Sequence, residues 1–243
     1  MTEHRERGLQ PGSQLVVHHR GLVVADPADG ESRPGQPMTE AHVLRWYEAG
    51  MPLLAVAIAR LVEEEKLSLD DRVADYVDDS GNGKEAATVR HLLTHMAGFS
   101  DAELSDRNVS HDEAIEQIAA YRAEHPAGVR AGFHGSSAWR ILAEVAQKTS
   151  GRSLERLLHK TVWKPCRIPG AALAVDRRDV ARLGDLLGPV HWSGYDVVET
   201  VDNGNSGRVP YRVDVIHNSE WHLPKGDPGM GWHGSAPGPP SVL

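Results

Sequence analysis

RWYEAGMPLLAVAIARLVEEEKLSLDD, residues 45–71, is the stretch on which the reading of this chain turns. Nearly every residue from Met51 to Ile58 is apolar. The pattern predicts a helix that keeps no solvent face along its first turns, and a helix apolar all round is a buried one. Pro52 suits the first helical positions, where its missing N–H costs nothing and its fixed φ is already helical. Arg60, Glu63, Glu64 and Lys66 then restore polarity, so the far end is expected to emerge into water. The expected element is a central helix whose N-terminus opens inside the protein, just after Trp46-Tyr47-Glu48-Ala49-Gly50. Unpaired N–H groups and the positive end of the dipole gather at such a terminus, which suits it to chemistry. The plainer alternative is a core helix with Glu48 near its start, favoured by the same dipole.

Outward from this helix, bulk composition narrows the function classes. The 243 residues are 40% apolar and 25% charged, an ordinary globular balance with ample material for a core. A net charge of −8 argues against nucleic acid, whose binders carry a basic footprint. The 14 histidines are scattered and form no tract. Cys166 is alone, so no internal disulfide framework is expected. The opening MTEHRERGLQPG is polar and lacks the apolar centre of a signal peptide. The longest apolar run is too short to cross a bilayer. The expectation is a cytoplasmic protein without a membrane partner, with residues 1–12 a flexible leader and 13–243 one domain.

Residues 14–26 (QLVVHHRGLVVAD) read as two short strands around His19-Arg20-Gly21. Residues 27–39 are rich in Gly, Pro, Ser and Asp and are expected to be a loop, as is SGNGK at 80–84. Apolar spacing predicts helices over 88–96, 111–122, 137–148, 153–162 and 177–187. Beyond Gly188 the texture turns to loops with weak strands, 196–201 and 209–216 among them, and the terminal GSAPGPPSVL cannot be helical.

Several of these pieces together resemble the serine β-lactamases and penicillin-binding-protein-like hydrolases, in the branch of the class C enzymes and related esterases. LVEEEKLSLDDRVADYV (61–77) looks like the segment after the family's nucleophile helix, and HLLTHMAGF (91–99) like its HLLTHTSGL-type motif. PAGVRAGFHGSSAWRILAEVAQKTSGRSLERLLHKTVWKPCRI (126–168) is similar to the stretch holding its Tyr-x-Asn element. AVDRRDVARLGDLL (174–187) resembles a later family helix, and GWHGSAPGPPSV (231–242) the strand-borne Lys/His-Ser/Thr/Gly-Gly motif. The matches occur in family order over about 13–187 and the last dozen residues. The resemblance implies an α+β fold, an antiparallel sheet flanked by helices, with a helical lobe at about 70–167. It also implies further strands and a closing helix where this sequence stops, so an incomplete sheet covered by a partner or a second copy is expected.

In that family a serine stands one turn before a lysine on the first turn of the buried helix, and the amine takes the serine proton. Here Glu48-Ala49-Gly50-Met51 occupies the Ser-x-x-Lys position, and no Ser-x-x-Lys occurs anywhere in the chain. The family tyrosine falls on Phe133 in one register and on His134 in another. The third motif survives as His233-Gly234-Ser235. If the family geometry holds, Glu48, His134 and His233 converge as catalytic candidates, with Trp46, Tyr47, Met51, Phe133, Gly234 and Ser235 as substrate-binding ones.

A carboxylate facing a histidine can run non-covalent acid–base chemistry, such as an isomerisation, elimination or cyclisation, on a small molecule. The alternatives are a catalytically silent ligand- or protein-binding module, and an active amide or ester hydrolase if the alignment of Glu48 is wrong. Two histidines and a carboxylate are also ligand types for iron or zinc, but no HExxH motif supports a metal, and His91 and His95 belong to the family motif. No metal or other cofactor is expected.

Overall fold

The computed structural model describes residues 2–6, 10–77, 81–100, 102, 104, 109–168, 171–193, 211–213, 227–228 and 230–235. The expected leader carries a one-turn helix, α1 (Thr2–Glu6), held near the first sheet by an Arg5–Asp29 ion pair at 3.5 Å. Strand β1 (Gly12–Gln14) follows. The predicted hairpin forms as β2 (Val17–His19) and β3 (Leu22–Ala25), joined by the turn Arg20-Gly21. The stretch 27–39, expected to be a loop, instead contributes β4 (Ala28–Arg33) and β5 (Gln36–Pro37) in the order β1-β4-β5. Its strands carry no alternation of apolar and polar residues for a sequence reading to find. They hold through backbone pairing, Gly12 opposite Gly30, rather than through a buried face. Among the described residues the strands form one three-stranded and three two-stranded sheets.

The short strand β6 (Leu44–Arg45) leads through a 3₁₀ turn (Tyr47–Gly50) into α2 (Met51–Glu63). Pro52 stands in its first turn, as its chemistry favours. The expectation that the first turns keep no solvent face is corrected by the structure. Met51, Leu54, Ala57, Ile58 and Leu61 are buried at i, i+3, i+4 spacing, while Pro52, Val56 and Ala59 face outward. The helix is one-sided in burial without being one-sided in polarity.

Helix α3 (Val89–Leu93) starts at a capping box in which the His91 amide donates to the Thr88 hydroxyl and the Thr88 amide to His91 Nδ1. Ser110 and Glu113 cap α4 (His111–Ala120) in the same manner. Helix α5 (Ser137–Ser150) is buried along most of its length and ends at Gly151. It is followed by α6 (Leu154–Leu158), a π turn (His159–Trp163), α7 (Lys164–Cys166), α8 (Arg177–Leu183), and a backbone pair of strands, β7 (His191–Ser193) and β8 (Tyr211–Val213). Strand β9 (His233–Gly234) closes the described chain. The expected strand at 196–201 lies outside the described residues, as does most of 209–216. Helices α2, α5 and α6 share one core with Phe99, Trp139, Trp163 and Trp232. No helix among the described residues is long and apolar enough to cross a membrane.

Candidate functional site

The pairing of β6 with β9 builds one wall of the site. Leu44 stands opposite Gly234 and Arg45 opposite His233, and the Trp46 amide donates to the Trp232 carbonyl at 2.8 Å. His233 also exchanges two backbone hydrogen bonds with Ala172, so β9 is held from both sides. Stretches far apart in the sequence are therefore neighbours, and the residues just before Glu48 lie beside the histidine of the third motif.

Two glycines allow an unusually close approach here. A Cβ on Gly50 would overlap the indole of Trp232, and one on Gly234 would overlap the indole of Trp46. The Trp232 ring is wholly buried, donates through Nε1 to the Pro228 carbonyl at 2.7 Å and meets Trp163 edge-on at 6.0 Å. Met51 is buried in the same core. Glu48 is half-buried on the 3₁₀ turn, and the Arg45 guanidinium lies 5.1 Å from the Tyr47 ring centre. His233 is buried, with its Nδ1–H donating to the Gly231 carbonyl at 2.7 Å. Ser235 is half-buried.

The Phe133/His134 stretch is arranged differently. Phe133 is 62% exposed, whereas His134 is 1% exposed and turned inward. Its Nδ1 meets the Gly132 carbonyl at 2.5 Å, so that nitrogen carries the proton; its Nε2 accepts the Phe99 amide at 3.4 Å. Both ring nitrogens are thus engaged by backbone. Burial pushes the His134 imidazole below the ordinary histidine range, with the nearby His95 and His125 acting in the same direction. The Gly132 carbonyl and the Glu124 charge oppose the shift without reversing it. His95 is likewise lowered by burial, and its Nδ1 accepts the His134 amide at 3.1 Å.

One cluster lies beyond any sequence expectation. Arg140 is 5% exposed and its guanidinium meets the Asp227 carboxylate at 3.0 Å, while Ser136 donates to that carboxylate and accepts from Arg140 Nε at 3.1 Å. The Asp227 carbonyl in turn accepts the amides of Met230 and Gly231, at the entry to β9. This network ties the start of α5 to β9. No sequence signal could have found it, because Asp227 lies 87 residues from Arg140 in a stretch without periodicity.

Of the expected residues, then, the structure brings Trp46 against Gly234 and, through the β6–β9 pair, sets Arg45, three residues before Glu48, opposite His233. It sends Met51 into the core and His134 onto the backbone of 99–132. Among the described residues no group of three or more His, Cys, Asp or Glu side chains is placed to hold a metal.

A family model described as Beta-lactamase matches residues 1–237. The chain is 26% identical over 184 residues to Esterase EstB of Burkholderia gladioli, covering 66% of this chain and 46% of that protein. It is 24% identical over 169 residues to a putative D-alanyl-D-alanine carboxypeptidase of Escherichia coli (strain K12), covering 62% of this chain and 38% of that one. Among solved structures it superposes on EstCE1, a hydrolase with promiscuous acyltransferase activity, with a TM-score of 0.75 at 19% identity over 97% of this chain and 67% of that one. The last likeness is one of fold. The chain spans less than half the length of the curated relatives it matches.

Proposed function

The chain belongs to the β-lactamase family, and from that premise we propose that it is a non-acylating member that acts by binding a ligand or a partner protein rather than by turning over an acyl substrate. The observation that carries this reading is Met51, at the position the resemblance gives to the lysine, buried in the same core as the Trp232 indole that packs on Gly50. The Trp232 indole and Met51 belong to one hydrophobic core, so the start of α2 is closed over by apolar packing.

The residues themselves support the same reading. A Glu48 carboxylate attacking an acyl group would give a short-lived anhydride, and Met51 has no group to accept a proton. The acid–base alternative needs a second proton carrier facing Glu48. His134 has its Nδ1–H and its Nε2 lone pair both committed to backbone groups, and His233 has its Nδ1–H committed to the Gly231 carbonyl.

Intact-protein mass after incubation with a fluorescent penicillin and with a reactive ester tests the proposal. The expected result is no adduct on the wild-type chain, and none on a Glu48→Ser/Met51→Lys variant, since residue 51 stays packed in the core with Trp232. A stoichiometric adduct on any wild-type serine would overturn the reading and make the chain a working hydrolase. An adduct on the variant alone would mean that residue chemistry, and not the packing at the start of α2, is what silences the site.

A further inference from the structure

Two histidines from separate parts of the chain lace two stretches of the helical lobe together, and nothing in the binding reading uses them. Residues 95–100 lie along 124–134 through three backbone hydrogen bonds: Gly132 N–H to the His95 carbonyl at 2.9 Å, Gly128 N–H to Met96 at 2.8 Å and Glu124 N–H to Gly98 at 2.8 Å. Two more bonds run through imidazoles. The His134 amide donates to His95 Nδ1, and the Phe99 amide donates to His134 Nε2. Each of these needs a bare ring nitrogen. An imidazolium has N–H groups at both positions and would point a proton at an N–H donor.

The rings also face each other, with centroids 5.9 Å apart and planes 28° from parallel, inside a cage of Phe99, Phe133 and Trp139. Two positive charges in that cage would repel across a poorly solvated gap. The titratable groups facing His134 are His95, His125 and Glu124, and only Glu124 favours its charged form. That carboxylate is exposed and already accepts from the amide and the hydroxyl of Ser100. His95 moreover sits at φ +57°, a left-handed conformation that its neighbours must hold in place.

We propose that His95 and His134 form an acid-operated latch: their unprotonated rings hold residues 95–100 against 124–134, and protonation in mildly acidic solution releases the two stretches and frees the segment that carries Phe133. The expected sense follows from linkage. Both imidazoles titrate below their ordinary value in the folded chain, so the unfolded or opened state takes up protons first. The latch is fully closed above about pH 6.5, the ordinary histidine value, and weakens as the pH falls from there through the lowered values.

Amide hydrogen exchange on the whole chain, corrected for the intrinsic pH dependence of exchange, reads the latch directly. Between pH 7.5 and pH 5.5 the corrected opening at Phe99 and His134 should rise about tenfold or more, the change expected when one histidine with the ordinary value of about 6.5 takes up its proton in the opened state over that span. The matched control is His95→Asn/His134→Gln. The amide oxygen of the introduced asparagine replaces Nδ1 as acceptor, and asparagine tolerates the left-handed backbone at that position. The amide oxygen of the introduced glutamine replaces Nε2. In this double variant the rise should shrink to about twofold or less, because no proton is taken up. A flat wild-type profile, or an equal rise in the variant, overturns the proposal. Should the variant not fold, ring-nitrogen NMR of wild-type His134 decides. A neutral Nδ1–H ring with a midpoint below the ordinary histidine value supports the latch, and a midpoint at or above it refutes it.

Discussion

The wall built from β6, β9 and the start of α2 and the wall built from 95–100 and 124–134 are held together by different physics. The first is filled. Trp232 and Trp46 press on glycines, Met51 joins the core, and the stabilisation is burial of apolar surface. The second is laced. Its histidines are aimed away from solvent and spend their nitrogens on backbone amides and carbonyls. A filled wall fails by losing volume and is indifferent to pH. A laced wall fails one hydrogen bond at a time and responds to protons.

The largest effect should come from emptying the first wall. Trp232→Ala removes a fully buried indole that packs on Gly50 and Trp163, and should cost about 4 kcal/mol in urea unfolding, in the usual range for a deleted core aromatic. A loss under about 1 kcal/mol would mean that the indole sits in a loose site and that the wall is not close-packed. Next is the tether between the walls. Asp227→Ala strands the Arg140 guanidinium, which is 5% exposed, and should cost about 3 kcal/mol by the same measurement. Arg140→Met/Asp227→Ala should recover much of that loss, because what destabilises the single variant is an uncompensated buried charge.

The sequence made the helices legible and much of the site illegible, for identifiable reasons. Helices α2 to α6 announce themselves through apolar spacing, capping residues and Gly151, all local signals. Strands β4 and β5 do not, because ADGESR and its partner are held by backbone pairing with no face to bury. The absence of Ser-x-x-Lys is visible by counting, but the packing of Trp232 on Gly50 is not, since the two meet across most of the chain. Phe133 and His134 are adjacent in sequence, and only the direction of each side chain separates an exposed ring from a structural one. Lys84 carries the same lesson. Its sequence neighbours place it in a polar loop, yet it is buried, with its ammonium donating to the carbonyls of Ala119 and Tyr121 at the end of α4, and burial lowers its affinity for a proton.

The smallest effect should come from the thread that starts the laced wall. Thr88 caps α3, and that helix delivers His95 two residues past its last turn, where the chain enters the left-handed conformation. Thr88→Ala deletes the acceptor for the His91 amide but leaves His91 Nδ1 able to take the amide of residue 88, so half of the capping box persists. The expected cost is about 1 kcal/mol, typical of a lost N-cap hydroxyl. Because neither bond to His95 nor to His134 involves Thr88, the pH at which residues 95–100 open should stay where it is while overall stability falls. A shift of that midpoint in Thr88→Ala would mean that the latch is set by the helix behind it, and the distinction between a filled and a laced wall would then have to be redrawn at α3.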